Sequence, residues 1–180
     1  GQPVKMSNRA GEFITMDDLL EEVPKDAARY FFIMRNTSSH LDFDLDLARA
    51  QSMDNPVWYI QYAHARCCSI FRQAEAAGIS SDAWDTADLA LLEEPGELDL
   101  VRKMAAFPDE VLSAAIERAP SRIAKYGLDL ASLFHSFYNE CRVMGDDPAL
   151  TAARLALVDA AKTVIANALN IMGIAAPERM

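Results

Sequence analysis

Long apolar runs are missing from this 180-residue chain. No stretch approaches the roughly 18 uninterrupted apolar residues that a membrane-spanning helix needs, so no membrane is expected as a partner. The opening residues GQPVKMSNRAGEF hold no apolar block of the kind that heads a secretion signal. Cysteine is scarce, with only Cys67, Cys68 and Cys141. The count is odd, two are adjacent, and no second pair stands at metal spacing. That excludes a disulfide framework and a zinc knuckle, and points to a reducing, cytoplasmic setting. No metal site is expected: Asp42, Asp44 and Asp46 alternate without the glycine turn or glutamate partner of a calcium loop, which leaves them a structural or interdomain role. Positive charge is also short. Lys and Arg number 17 against 27 Asp and Glu, a net charge of −10, which excludes a nonspecific nucleic-acid binder and argues against DNA. What is present is 51% hydrophobic and 24% charged, enough for one globular domain, or one domain with an appendage.

The acidity is uneven. From Ser80 to Glu110 nine acids face only Arg102 and Lys103, whereas from Arg118 to Met180 seven bases face six acids. A polyanion is expected to bind on the C-terminal third and to be repelled from the middle.

The pattern predicts helices punctuated by proline and glycine. Thr15 with Asp18 makes a capping box ahead of MDDLLEEV. Pro24 ends that helix and starts PKDAARYFFIMR. Acid and apolar residues alternate from Leu41 to Leu47, read as an extended lead into a short helix. Asn55-Pro56 starts a helix that runs to Ala77, with Gly78 as its stop. Val57, Ile60, His64, Cys67, Ile70 or Phe71, and Ala74 form its buried stripe. Ser81 caps a short helix, Pro95-Gly96 reads as a turn, Leu98–Phe107 is helical, and Pro108 opens another helix. Pro120 opens a long helix to Met144, closed by Gly145. Asp147-Pro148 starts the last one, closed by Gly173. The expected fold is all-α, an antiparallel bundle of about five helices. The first fifteen residues differ: a basic, glycine-flanked loop feeding a short β-element at Glu12–Thr15.

That loop, Lys5-Met6-Ser7-Asn8-Arg9-Ala10-Gly11, resembles the signature loop of class I aminoacyl-tRNA synthetases, which in the arginine-specific branch reads KMSKR before a small residue and Gly. LDFDLDLA (Leu41–Ala48), DNPVWYIQYAHARCCSI (Asp54–Ile70) and APERM (Ala176–Met180) resemble the same branch, in the same order. The resemblance covers essentially the whole chain. It implies the end of a Rossmann-type catalytic domain at 1–53 and an α-helical anticodon-binding domain at 54–180. The family's His-x-Gly-His motif is absent, so the chain alone is expected to lack aminoacylation activity.

For the parent enzyme the resemblance implies ATP-dependent attachment of arginine to its tRNA, with Mg2+ accompanying ATP and no cofactor held tightly by this portion. Lys5, Ser7 and Arg9 are the expected catalytic groups, and Lys5, Met6 and Ser7 the expected ATP-binding ones. A lysine ammonium and a hydroxyl on a mobile loop stabilise the charge that develops on pyrophosphate as the adenylate forms. The family's second lysine is Asn8 here, and asparagine supplies no cation.

Unpaired RNA bases are recognised by stacking on aromatic faces and by hydrogen bonds to their edges. Tyr138 and Arg142, four apart on FHSFYNECRVMG, are expected to share a helix face. The resemblance assigns these two and Met180 to the anticodon loop. The plainer readings are a half-buried core tyrosine, a surface arginine paired with Asp146, and a frayed end. Tyr62 and Arg66, one turn apart, either touch tRNA or pack against the catalytic domain. His64 reads as a core histidine, Cys67 and Cys68 as inert thiols, and Trp58 and Trp84 as packing residues. The expected partner is arginine tRNA, with arginine and ATP for the full enzyme, and the expected state is a monomer. The alternatives are a stand-alone, noncatalytic RNA-binding or protein-interaction module, and the cysteine-specific synthetase, whose bundle is similar in outline.

Overall fold

Helix boundaries follow from where backbone donors find local acceptors. The computed structural model describes residues 15–36 and 43–180. The signature-like loop, residues 12–14 of the β-element expected at Glu12–Thr15, and the stretch 37–42 lie outside them, while Thr15 itself is the N-cap of α1. Among the described residues there is no strand, and the elements run α1 (Met16–Glu22), α2 (Lys25–Ile33), α3 (Leu45–Arg49), α4 (Pro56–Ala76), α5 (Asp82–Asp85), a 3-10 turn (Leu89–Leu91), α6 (Pro95–Ala105), α7 (Phe107–Glu117), α8 (Ser121–Glu140) and α9 (Pro148–Ile171).

The caps are largely those the sequence advertises. Thr15 and Asp18 form the reciprocal capping box of α1. Asp44 accepts from the Leu47 amide at the start of α3 (3.0 Å), and Asp147 accepts from the Ala149 and Leu150 amides at the start of α9. Asn55 does more than cap. Its Oδ1 accepts from the Val57 amide while its Nδ2 donates to the carbonyls of Ala48 and Ala50, which fastens α3 to the head of α4.

Two boundaries and one cap differ from the sequence pattern. Pro95-Gly96 is the first turn of α6, not a turn between elements. Glu94 and Glu97 cap each other's ends there, and proline at the first helical position sacrifices no hydrogen bond. Ser81 makes no side-chain cap. The long helix α8 ends at Glu140, not Met144, because Cys141 turns to extended backbone (φ −110°, ψ 120°). The chain then buries Cys141 and Val143, and the Arg142 carbonyl accepts from the Arg154 Nη1 (2.9 Å). Burial and a tertiary hydrogen bond outweigh a few residues of continued helix.

Helices α4, α8 and α9 pack on one another, α6 lies across α8 and α9, α7 rests on α8, and α2 sits against α3, α4 and α8. Ile60, Leu130, Phe134, Phe137, Leu155, Ile165 and Leu169 form the fully buried centre. All the stripe residues expected on α4 are buried. Gly127 of α8 packs against α4: a Cβ there would stand 3.4 Å from the Ile60 Cδ1.

Glu97 is completely buried, a costly position for a carboxylate unless it is paired. Its Oε1 accepts from the Arg154 Nε at 2.6 Å, and its Oε2 accepts from the Glu94 amide at 3.0 Å. Glu97→Ala should therefore cost about 3–5 kcal/mol in urea unfolding, because Arg154 keeps a mostly buried charge with no counter-ion. Glu97→Gln should cost less, since an amide oxygen can still cap α6. Equal stability of wild type and Glu97→Ala would refute the role of the pair.

Candidate nucleic-acid interface

The face of α4 opposite its buried stripe carries Tyr62, Arg66, Ser69 and Gln73, spaced by four, three and four residues, so they form one line along the helix. The last turn of α8 brings Tyr138 beside that line. The Arg66 guanidinium carbon lies 4.7 Å from the ring centroid of Tyr62 and 4.7 Å from that of Tyr138. Arg66 Nη2 also donates to the Tyr62 hydroxyl at 2.8 Å. Each cation–π contact contributes about 0.5–2 kcal/mol, depending on how dry it is. Arg66 is thereby held in place with its charge still presented at the surface.

The aromatic residues are backed from beneath. Tyr138 stacks on Phe134, with centroids 6.4 Å apart. Tyr62 stacks on His135 at 5.8 Å, and Tyr59 meets the same imidazole edge-on at 4.6 Å. The C-terminal tail crosses to this place, so that Arg179 and Met180 join Tyr62, Arg66, Arg72 and Tyr138 around a groove of about 480 Å³. Three arginines and no Asp or Glu side chain line it, so the cations outnumber the α-carboxylate of Met180. In a chain of net charge −10, this is a local reversal of sign that attracts an anion.

Of the residues expected at an RNA loop, Tyr138 and Met180 come together and Arg142 does not. Arg142 lies past the end of α8, so it shares no helix face with Tyr138; its exposed side chain forms no ion pair with Asp146 among the described residues. Arg66 occupies the place beside Tyr138 instead. Its spacing from Tyr62 was readable, but the arrival of Tyr138 on its other side was not. Gln73 continues the same helix line and Arg72 stands one position to its side, whereas nothing local could have placed Arg179. Lys5, Met6, Ser7 and Arg9 lie outside the described residues.

The other singled-out side chains settle into the framework. His64 is buried and its Nδ1 lies 2.9 Å from the Pro177 carbonyl. Burial pushes the Cys67 and Cys68 thiols up, away from reactivity. Trp84 packs on Phe71 at 5.1 Å, and Trp58 lines a shallow hollow between α2, α3 and α4. Among the described residues, no three His, Cys, Asp or Glu side chains are grouped to hold a metal ion.

His135 is 6% exposed, and neither ring nitrogen has a hydrogen-bond partner. Burial, helped by the Arg66 charge and only partly offset by the nearby Tyr59 backbone, pushes its pKa down to about 4. The folded chain thus keeps His135 neutral while the unfolded chain protonates it near the ordinary value of about 6.5. Between those values the unfolded state binds more protons, so acidification costs stability. Urea midpoints should fall from pH 6.5 to pH 4.5, and His135→Phe should flatten that fall. Parallel pH profiles for the two proteins would contradict it.

Residues 60–180 match the DALR anticodon binding domain. An arginine–tRNA ligase of Symbiobacterium thermophilum is 55% identical over all 180 residues of this chain. The chain spans 32% of the length of that relative. A Campylobacter jejuni crystal structure described as an arginyl-tRNA synthetase superposes with a TM-score of 0.87 at 35% identity, covering 100% of this chain and 38% of that one. The Thermus thermophilus arginyl-tRNA synthetase superposes with a TM-score of 0.75 at 30% identity, over 96% of this chain and 29% of its own. With two-thirds of its residues matched and its helices superposing on these enzymes, the chain belongs to the DALR anticodon binding domain family.

Proposed function

We propose that this chain is the anticodon-binding portion of an arginine–tRNA ligase, and that the groove between α4, α8 and the tail receives unpaired bases of the arginine tRNA anticodon loop. The observation that carries this is the guanidinium of Arg66 clamped between Tyr62 and Tyr138 in a groove lined by no Asp or Glu side chain. Such a surface offers a base an aromatic face and offers the neighbouring phosphate a cation that needs little further ordering to bind it. Met180 adds a polarizable thioether that adapts to the outline of a base. The acidic stretch from Ser80 to Glu110 repels the phosphate backbone elsewhere and favours approach at this end.

The parent enzyme would join arginine to tRNA with ATP and Mg2+, and would work as a monomer in the cytoplasm. Among the described residues no helix is long and apolar enough to cross a membrane. The loop at residues 5–9 would add an ammonium at Lys5, a hydroxyl at Ser7 and a guanidinium at Arg9 against the charge developing on pyrophosphate. The 1–53 and 54–180 division is part of the same reading: the groove lies in the second portion and the ATP chemistry requires the first.

The test is binding of the 180-residue chain to arginine tRNA, with an anticodon-swapped tRNA as control. Tyr138→Ala should weaken cognate binding by about 1–3 kcal/mol. Arg66→Ala should weaken it comparably, and Arg142→Ala much less. Affinity should fall with salt on a shallow slope, because the groove offers few cations to displace counter-ions. Equal affinity for the two tRNAs, or no loss with Tyr138→Ala, would refute anticodon recognition; it would favour a module that binds RNA or protein for another purpose.

A further inference from the structure

The tail beyond α9 forms no regular secondary structure, yet side chains of α2 and α4 engage its backbone at successive points. Asp26 on α2 accepts through Oδ2 from the Ala175 amide at 3.2 Å and from Gln61 Nε2 at 2.9 Å. The same Gln61 nitrogen donates to the Ala175 carbonyl at 2.9 Å, which closes a three-residue knot. Further along, His64 holds the Pro177 carbonyl, and Arg72 donates to the Glu178 carbonyl at 3.3 Å. The Arg29 side chain of α2 also covers the point where the tail departs. Gly173 has φ +68°, and a Cβ there would come within 3.0 Å of the Arg29 guanidinium. Ile174, next in the chain, is 2% exposed.

We propose that Asp26, acting through Gln61 and Ala175, is a positioning residue for the groove: it sets where the tail leaves the bundle and therefore where Arg179 and Met180 stand. This rests on the anticodon-loop reading of the groove. Met180 stands five residues beyond Ala175, at most about 17 Å of chain, so a tail loosened at Ala175 has little beyond His64 and Arg72 to keep its end in register. Asp26 lies outside residues 60–180, the part matched by the family. The RNA-facing end of the bundle is thus tied to the segment that precedes it. Ligand at the groove and movement of α2 become linked through one carboxylate.

The experiment compares wild type, Asp26→Ala, Asp26→Asn, a chain lacking residues 179–180, and that shortened chain carrying Asp26→Ala. Affinity for arginine tRNA and hydrogen exchange of the tail from residue 174 onward are measured for each. Asp26→Ala should weaken cognate tRNA about five- to tenfold and speed exchange of the tail. Asp26→Asn, whose carboxamide oxygen can accept both bonds, should restore affinity to within about twofold of wild type. In the shortened chain, Asp26→Ala should add nothing. Undiminished affinity of Asp26→Ala, or an equal loss in the shortened chain, would overturn the proposal, since the second result would place the effect in α2 packing. A wild type that binds no tRNA would instead overturn the anticodon reading. In that case unchanged tail exchange in Asp26→Ala would overturn the positioning role as well, and faster exchange would uphold the anchoring on which it depends.

Discussion

The buried ion pair of Glu97 with Arg154 holds together three parts of the chain that have no local reason to meet. Glu97 lies in the first turn of α6, Arg154 in the second turn of α9, and the Arg142 carbonyl in the loop that follows α8. A lone carboxylate at that depth would be severely disfavoured, so the fold is committed to one arrangement of these segments. Both oxygens of Glu97 have donors, and Arg154 divides its donors between a carboxylate and a carbonyl. The end of α8 follows from this. Once the Arg142 carbonyl faces Arg154, the helix has stopped, and Tyr138 stands in its last turn rather than mid-helix.

The groove inherits its geometry from that ending and from the close crossing of α4 with α8. Ile60 against Gly127 brings the two helices near enough for Arg66 and Tyr138 to meet. Beneath them, Tyr59, Tyr62, Phe134 and His135 form a layer of rings whose imidazole is kept neutral by burial. A rigid aromatic floor under a clamped guanidinium suits recognition of an unpaired base, because the receptor loses little freedom when the ligand arrives.

The sequence made the helix starts readable, since Thr15, Asn55-Pro56, Asp147-Pro148 and Pro108 act through groups only a few residues away. The buried stripe of α4 was readable for the same reason. Pro95-Gly96 misled because the dipeptide commonly marks turns, while the pair that decides the matter, Glu94 with Glu97, consists of residues whose usual place is at the surface. Arg142 misled because helical spacing holds only as far as the helix does, and α8 stops for a tertiary reason. Of the site, Tyr138 and Met180 were legible through family resemblance and the Tyr62–Arg66 spacing through periodicity. That Arg66 would sit between two rings, and that Arg179 would join them, depended on the path of a tail that has no periodicity to read.

That tail has a practical consequence. Because Met180 ends at the mouth of the groove, an affinity handle fused behind it would crowd the very surface a binding assay is meant to probe.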